Sequence, residues 1–207
     1  MYLGVDFIDH HLTHTEDVNS RQAWLDQKGT LGLDFPNLPY YIDGDVKITE
    51  HMAIHQYISD KYMPSLLGRT IEERATVDML NGIIWDLKKT ATMGCYTDGD
   101  RQKLTLQTLI KIESLANYIQ PTKKYLIGNN LTYLDFYLYE LLCLIDFTSD
   151  GKVFKEYPDL AEYQFRISQL KNLKEYLVSS KCLISPFNMK FARINNWPPQ
   201  TPQIQDK

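Results

Sequence analysis

"GLDFPNLPYYIDGDVKITEH", residues 32–51, is the stretch that decides the fold: it sets a turn-like loop, a hairpin and a helix start in immediate succession. Tyr40-Tyr41-Ile42-Asp43 and Val46-Lys47-Ile48-Thr49 are strand-like runs joined across Gly44. An Asp-Gly pair between such runs is a strong hairpin signal, because glycine tolerates positive φ. Pro39 opens the first run, where its missing N–H costs the ladder least. His51–Tyr62 then carries Ile54, Tyr57, Ile58 and Tyr62 at three-and-four spacing, which predicts a helix. Phe35 stands apart, an aromatic in a loop of turn formers.

Outward from this stretch the chain divides into two grammars. Upstream, FIDHHL (7–12) is a short strand candidate, and Ser20–Lys28, with Trp24 and Leu25, is a helical turn. The first third is therefore α/β. Pro64 and Gly68 mark a break, and beyond it the chain reads as helices. Thr70-x-x-Glu73 is a capping box, followed by the apolar stripe Val77, Leu80, Ile84, Leu87 and Ala91. Residues 101–119 predict a second helix with Leu106, Leu109, Ile110, Ile112 and Leu115 on its apolar face. TYLDFYLYELLCLIDF is apolar nearly all round and belongs at the centre of the helical part, capped by Thr132-x-x-Asp135. Pro158 opens a further helix to about Leu170. This organisation gives an α/β unit at 1–64, an all-helical unit at 65–194 and a Pro- and Gln-rich tail at 195–207 that is expected to be loose.

Composition excludes several classes of function. With 43% hydrophobic and 23% charged residues over 207 positions, the chain can bury a sizeable core and is not disordered. A net charge of −4 without a basic block argues against nucleic acid and against a polybasic membrane patch. No apolar run is long enough to span a bilayer, and no signal pattern opens the chain. Cys95, Cys143 and Cys182 are scattered and odd in number, which reads as reduced thiols in a cytoplasmic protein. His51 and His55 are four apart on one helical face, but no third ligand is in view. His10 and His11 would point to opposite faces of a strand, so no metal site is expected.

FPNLPY with its flanks, SRQAWLDQK before it, and GCYTDGD, GNNLTYLDF and FKEYPDLAEYQFRIS after it share order and spacing with one family. Over roughly residues 5–190 the chain resembles the cytosolic glutathione transferases, and the mu class in particular. The resemblance implies a thioredoxin-like N-terminal domain, here incomplete, and an all-helical C-terminal domain. It also implies a homodimer that conjugates the thiol of glutathione, its co-substrate, to small hydrophobic electrophiles in detoxification, with no bound cofactor. Phe35 matches the aromatic that the family inserts into a pocket of the partner subunit; the bland alternative is a loop phenylalanine folded back on its own domain. Asn37 and Leu38 match the backbone that pairs with the cysteinyl part of glutathione, and Pro39 matches the family's cis-proline. Arg21, Trp24 and Lys28 match the elements that close over the glycine carboxylate. Without the resemblance, Trp24 reads as core and Lys28 as a surface lysine. Asp86 matches an acid that reaches the partner's glutathione, and Tyr96 a tyrosine lining the electrophile pocket. By themselves these two are an ordinary helix charge and an amphipathic tyrosine.

Two departures from the pattern concern the ligand site. Where the family carries Gln-Ser for the γ-glutamyl group, this chain has Glu50-His51. Glu50 suits the ammonium of glutathione, and His51 can donate to its carboxylate. The family also begins with a strand bearing its catalytic tyrosine, followed by a full helix. Here the match starts near Tyr2-Leu3-Gly4, which resembles the end of that helix. A piece on the order of 20 residues is thus expected to precede it, and no residue of this chain is assigned as catalytic. The alternative is a non-catalytic binding or structural protein of the same fold that has lost the tyrosine strand.

Overall fold

The computed structural model describes residues 1–10, 22–97, 100–182 and 192–196. Gln22–Lys28 forms α1, which leads into the loop before the hairpin. The hairpin pairs β1 (Tyr40–Asp43) with β2 (Val46–Thr49) antiparallel, Tyr40 facing Thr49 and Asp43 facing Val46. That register leaves Gly44 and Asp45 as the turn, with Gly44 at φ 61°, where a side chain would be strained. α2 (His51–Tyr62) folds back on the hairpin. Asp43 pins the two together by accepting from Lys61 Nζ and, at 3.2 Å, from the Tyr57 hydroxyl. A 3-10 turn at Pro64–Leu67 ends at Gly68 and hands the chain to the helices.

The helical part is built around α5 (Tyr133–Ser149), with eleven of its seventeen residues buried, as its near-uniform hydrophobicity predicts. α3 (Ile71–Tyr96) and α4 (Arg101–Tyr118) pack against it, as do α6 (Lys152–Glu156) and α7 (Pro158–Ser168); α8 (Lys171–Leu177) follows on α7. The predicted stripe of α3 is buried throughout, from Val77 to Ala91. Thr70 caps the helix by accepting from the Glu73 N–H, while Glu73 accepts from the Arg69 N–H. α5 starts on a buried cap. Asp135 accepts from the Thr132 N–H (2.7 Å) and hydroxyl (2.9 Å), the Leu126 N–H (2.8 Å) and the Tyr163 hydroxyl (2.6 Å). These bonds tie α5, α7 and the turn at Leu126 to one carboxylate.

Three expectations need correction. Residues 7–10 form no strand, and Phe7 and Ile8 are exposed; a strand needs a ladder partner, and no other strand pairs here among the described residues. His11 and Leu12 lie outside the described residues, as do Arg21 and the tail beyond Asn196. On α4 the buried face is Leu104, Thr105, Thr108, Ile112 and Leu115, which leaves Leu106 and Ile110 60% and 69% exposed. The true face admits two threonines, and a stripe chosen by hydrophobicity alone misses that phase. α6 and α8 were not anticipated, because each is shorter than the window that periodicity needs.

Candidate functional site

The loop before the hairpin is held by side chains of β2. Lys47 Nζ donates to the Leu31 carbonyl (2.9 Å) and Thr49 Oγ1 to the Phe35 carbonyl (3.0 Å). Gly32 sits at φ 68° beneath Lys47, whose Nζ would lie 2.7 Å from any Cβ placed there. Leu33 is buried, and Phe35 two residues on is 82% exposed, so it does not fold back on its own domain. The Leu38–Pro39 peptide is cis. Trp24 on α1 stacks on Tyr40 at the head of β1, with centroids 6.0 Å apart and planes 16° apart. It is a half-exposed lid on the hairpin, not core. Lys28 ends the same helix, half-buried.

Asn37, Leu38, Pro39 and Glu50 come together as one exposed edge. Asn37 Nδ2 donates to Glu50 Oε1 (3.2 Å), and Asn37 Oδ1 accepts the Leu38 N–H (2.9 Å). Glu50 caps α2 at φ 68° and ψ 114°, a backbone that side chains rarely adopt and that costs about 1–3 kcal/mol. Strain of that kind persists where the surroundings over-determine it. Here it aims the Glu50 carboxylate at the loop and leaves the first-turn N–H groups of α2 open at the same edge.

His51 departs from the sequence reading. Its side chain turns into the helical part, with Nε2 3.0 Å from the Tyr137 hydroxyl and its ring stacked on Trp85 (5.3 Å) and Tyr137 (5.1 Å). Its imidazole is already partnered on the helical side. His55, one turn on, meets Tyr133 and Tyr137, and its Nδ1 is buried without a partner. Burial, His51 and Lys88 bring His55 down to about 4. Burial first, then Lys88, lowers His51 as well, against the opposing pull of Glu50 and Glu140. Among the described residues no cluster of three or more histidines, cysteines or acids could hold a metal.

The remaining candidates lie on α3. Asp86 is exposed, beside exposed Trp85 and Ile83. Tyr96 ends the helix, half-buried against the core. Sequence reasoning overlooked Lys88. It is half-buried between these two, with Nζ 4.5 Å from the Tyr137 ring centroid and a pKa lowered by burial. The available signal was a lysine one turn from Ile84, next to Leu87, and in register with Thr92 and Tyr96.

A sequence model for the glutathione S-transferase C-terminal domain matches residues 85–180, which contain Lys88, Tyr96 and the Asp135 cap. The class-mu 26 kDa isozyme 7 glutathione S-transferase of Fasciola hepatica is 36% identical over 193 residues, 90% of this chain and 84% of the relative. The chain belongs to the mu-class glutathione S-transferases. Glutathione S-transferase Mu 2 of Mus musculus is also 36% identical, over 87% of this chain and 81% of its own length. Among solved structures, the glutathione S-transferase Blo t 8 superposes with a TM-score of 0.75 at 28% identity, covering 84% of this chain and 83% of that one. The fold is thus that of the glutathione transferases, with a thioredoxin-like part before the helical domain. No helix among the described residues is long and apolar enough to cross a membrane.

Proposed function

We propose that this transferase binds glutathione extended along Asn37–Pro39 and conjugates its thiol to small hydrophobic electrophiles held against α3. Residues 1–64 then serve glutathione and residues 65–194 the electrophile. The observation that carries the reading is the exposed Asn37–Pro39 edge with Glu50 held at positive φ beside it. An extended tripeptide uses a free backbone edge as a peptide uses a sheet edge. Glu50 would pair with the ammonium of glutathione, and the first-turn N–H groups of α2 would take the γ-glutamyl carboxylate. Lys28 and the Trp24 indole would close over the glycine carboxylate, as would Arg21 by the resemblance. The Leu38 N–H is engaged by Asn37, so the cysteinyl group must displace that side chain to pair with the backbone.

Catalysis here means ionising and orienting a thiol that is mostly protonated at neutral pH, since a free thiol has a pKa of about 8.5. The groups named above orient it. The family's ionising tyrosine has no counterpart assigned in residues 1–207. A cytoplasmic homodimer completes the reading, with Phe35 seated on a second copy and that copy's Asp86 directed at the glutathione amino group. Calorimetric titration with glutathione and conjugation of 1-chloro-2,4-dinitrobenzene test it together. Binding with turnover supports the transferase reading. Binding without turnover favours a non-catalytic carrier of the same fold, and no binding sinks the site assignment.

A further inference from the structure

Trp85, Lys88, Thr92 and Tyr96 recur at three- and four-residue steps and so share one face of α3. Tyr96 is the end assigned to the electrophile. Lys88 lies at the other end, over the ring of Tyr137, whose hydroxyl meets His51 at the start of α2. Lys88 therefore stands where the glutathione edge and the electrophile wall converge. Among the described residues no carboxylate lies within 4 Å of its ammonium, and Glu140 acts on it only through space. A half-buried ammonium without a counter-ion is costly, and an aromatic face offsets only part of that cost. One turn along, Thr92 Oγ1 is buried without a hydrogen-bond partner. Both histidines of the cluster are held below their usual range by burial, so neither supplies a competing cation near neutral pH. A cation with no carboxylate in contact and an unpartnered hydroxyl on consecutive turns are what an anionic group of a bound molecule would satisfy.

We propose that Lys88, with Thr92, makes this transferase selective for aromatic electrophiles that carry a carboxylate. The inference rests on the conjugation reading above. In the reaction, the glutathione sulfur attacks the halogen-bearing ring carbon. A C–S bond forms, the C–Cl bond breaks, chloride leaves with the bonding pair, and the thiol proton passes to solvent. Lys88 positions the ring by its carboxylate and takes no part in that exchange.

The test compares 4-chloro-3-nitrobenzoate with its neutral counterpart, 4-chloro-3-nitrobenzamide. Two readouts are used: kcat/KM with glutathione, and quenching of tryptophan fluorescence, which needs no turnover and has Trp85 beside the site. The wild type is expected to favour the benzoate by about five- to tenfold in both. Lys88→Met brings the ratio near one, Lys88→Glu inverts it, and Lys88→Arg keeps it. A merely structural lysine would instead shift both compounds and the glutathione affinity together. Equal ratios in wild type and Lys88→Met, or a wild type that favours the amide, overturn the proposal. Should Lys88→Met fail to fold, the wild-type and Lys88→Arg ratios still decide. Preferential benzoate binding without turnover of either compound would defeat the conjugation reading and leave only the carboxylate contact of Lys88 standing.

Discussion

His55 should make the stability of this transferase fall with acid in a defined window. Its side chain lies in the junction of α2 with α3 and α5, against Tyr133 and Tyr137, with Nδ1 cut off from solvent and unpartnered. Burial, and then His51 and Lys88, hold it at about 4 against an ordinary 6.5. The unfolded chain therefore takes up a proton near 6.5, which the native chain refuses until about 4. Between those values the unfolded state binds more protons, so stability rises with pH and is lost as pH falls. Each unit corresponds to about 1.4 kcal/mol, so this residue removes about 2 kcal/mol on going from pH 7.5 to pH 5. With a urea m-value of about 2 kcal/mol/M, the midpoint moves by about 1 M. His55→Leu removes the titration; the ring contacts to Tyr133 and Tyr137 that it also removes are lost equally at every pH, so the comparison reads the pH dependence. Urea unfolding followed by far-UV circular dichroism at pH 7.5, 6 and 5 should show wild type and His55→Leu diverging toward acid. Parallel pH profiles would refute the reasoning.

Other residues give equally direct tests. Asp135→Ala strands four donors around a buried carboxylate position and should cost about 3–5 kcal/mol in chemical denaturation; a loss under about 1 kcal/mol would mean that water replaces the carboxylate. Glu50→Gly relieves the backbone strain while deleting the acid, so the melting temperature should hold or rise as glutathione affinity falls about tenfold in calorimetry. Asn37→Ala frees the Leu38 N–H and the Glu50 carboxylate, and unaltered glutathione affinity would argue that neither takes part. Phe35→Ser should convert a dimer to monomer in sedimentation analysis, since the ring is 82% exposed within one chain; an unchanged sedimentation coefficient would separate it from assembly.

How much of this was legible depends on how local the determinants are. The hairpin, α2, the α3 stripe and the α5 cap are set by short patterns, Asp-Gly, Thr-x-x-Glu and Thr-x-x-Asp, and each forms where the pattern places it. The face of α4 was not legible. Thr105 and Thr108 are buried there with Leu104 and Ile112, and no single-sequence hydropathy pattern favours threonine over Leu106. A strand at 7–10 failed for the opposite reason, since composition can suggest a strand but only a neighbouring chain segment can pair it. Of the proposed site, the resemblance names residues in one loop or one helix. Lys88 was not, because its meaning arises from Tyr137 on another helix, 49 positions away.

Glu50 and His51 illustrate that limit most sharply, since adjacent residues here serve opposite faces. Glu50 faces the loop and binds Asn37, whereas His51 enters the helical part and binds Tyr137. The φ of 68° at Glu50 sets where its carboxylate points, and no sequence pattern announces a positive φ at a residue other than glycine or asparagine. A serine in place of His51 could not reach across to stack on Trp85 and Tyr137. The histidine thus joins α2 to α3 and α5 through Trp85 and Tyr137. The proposed glutathione edge begins one residue before the aromatic cluster that carries Lys88.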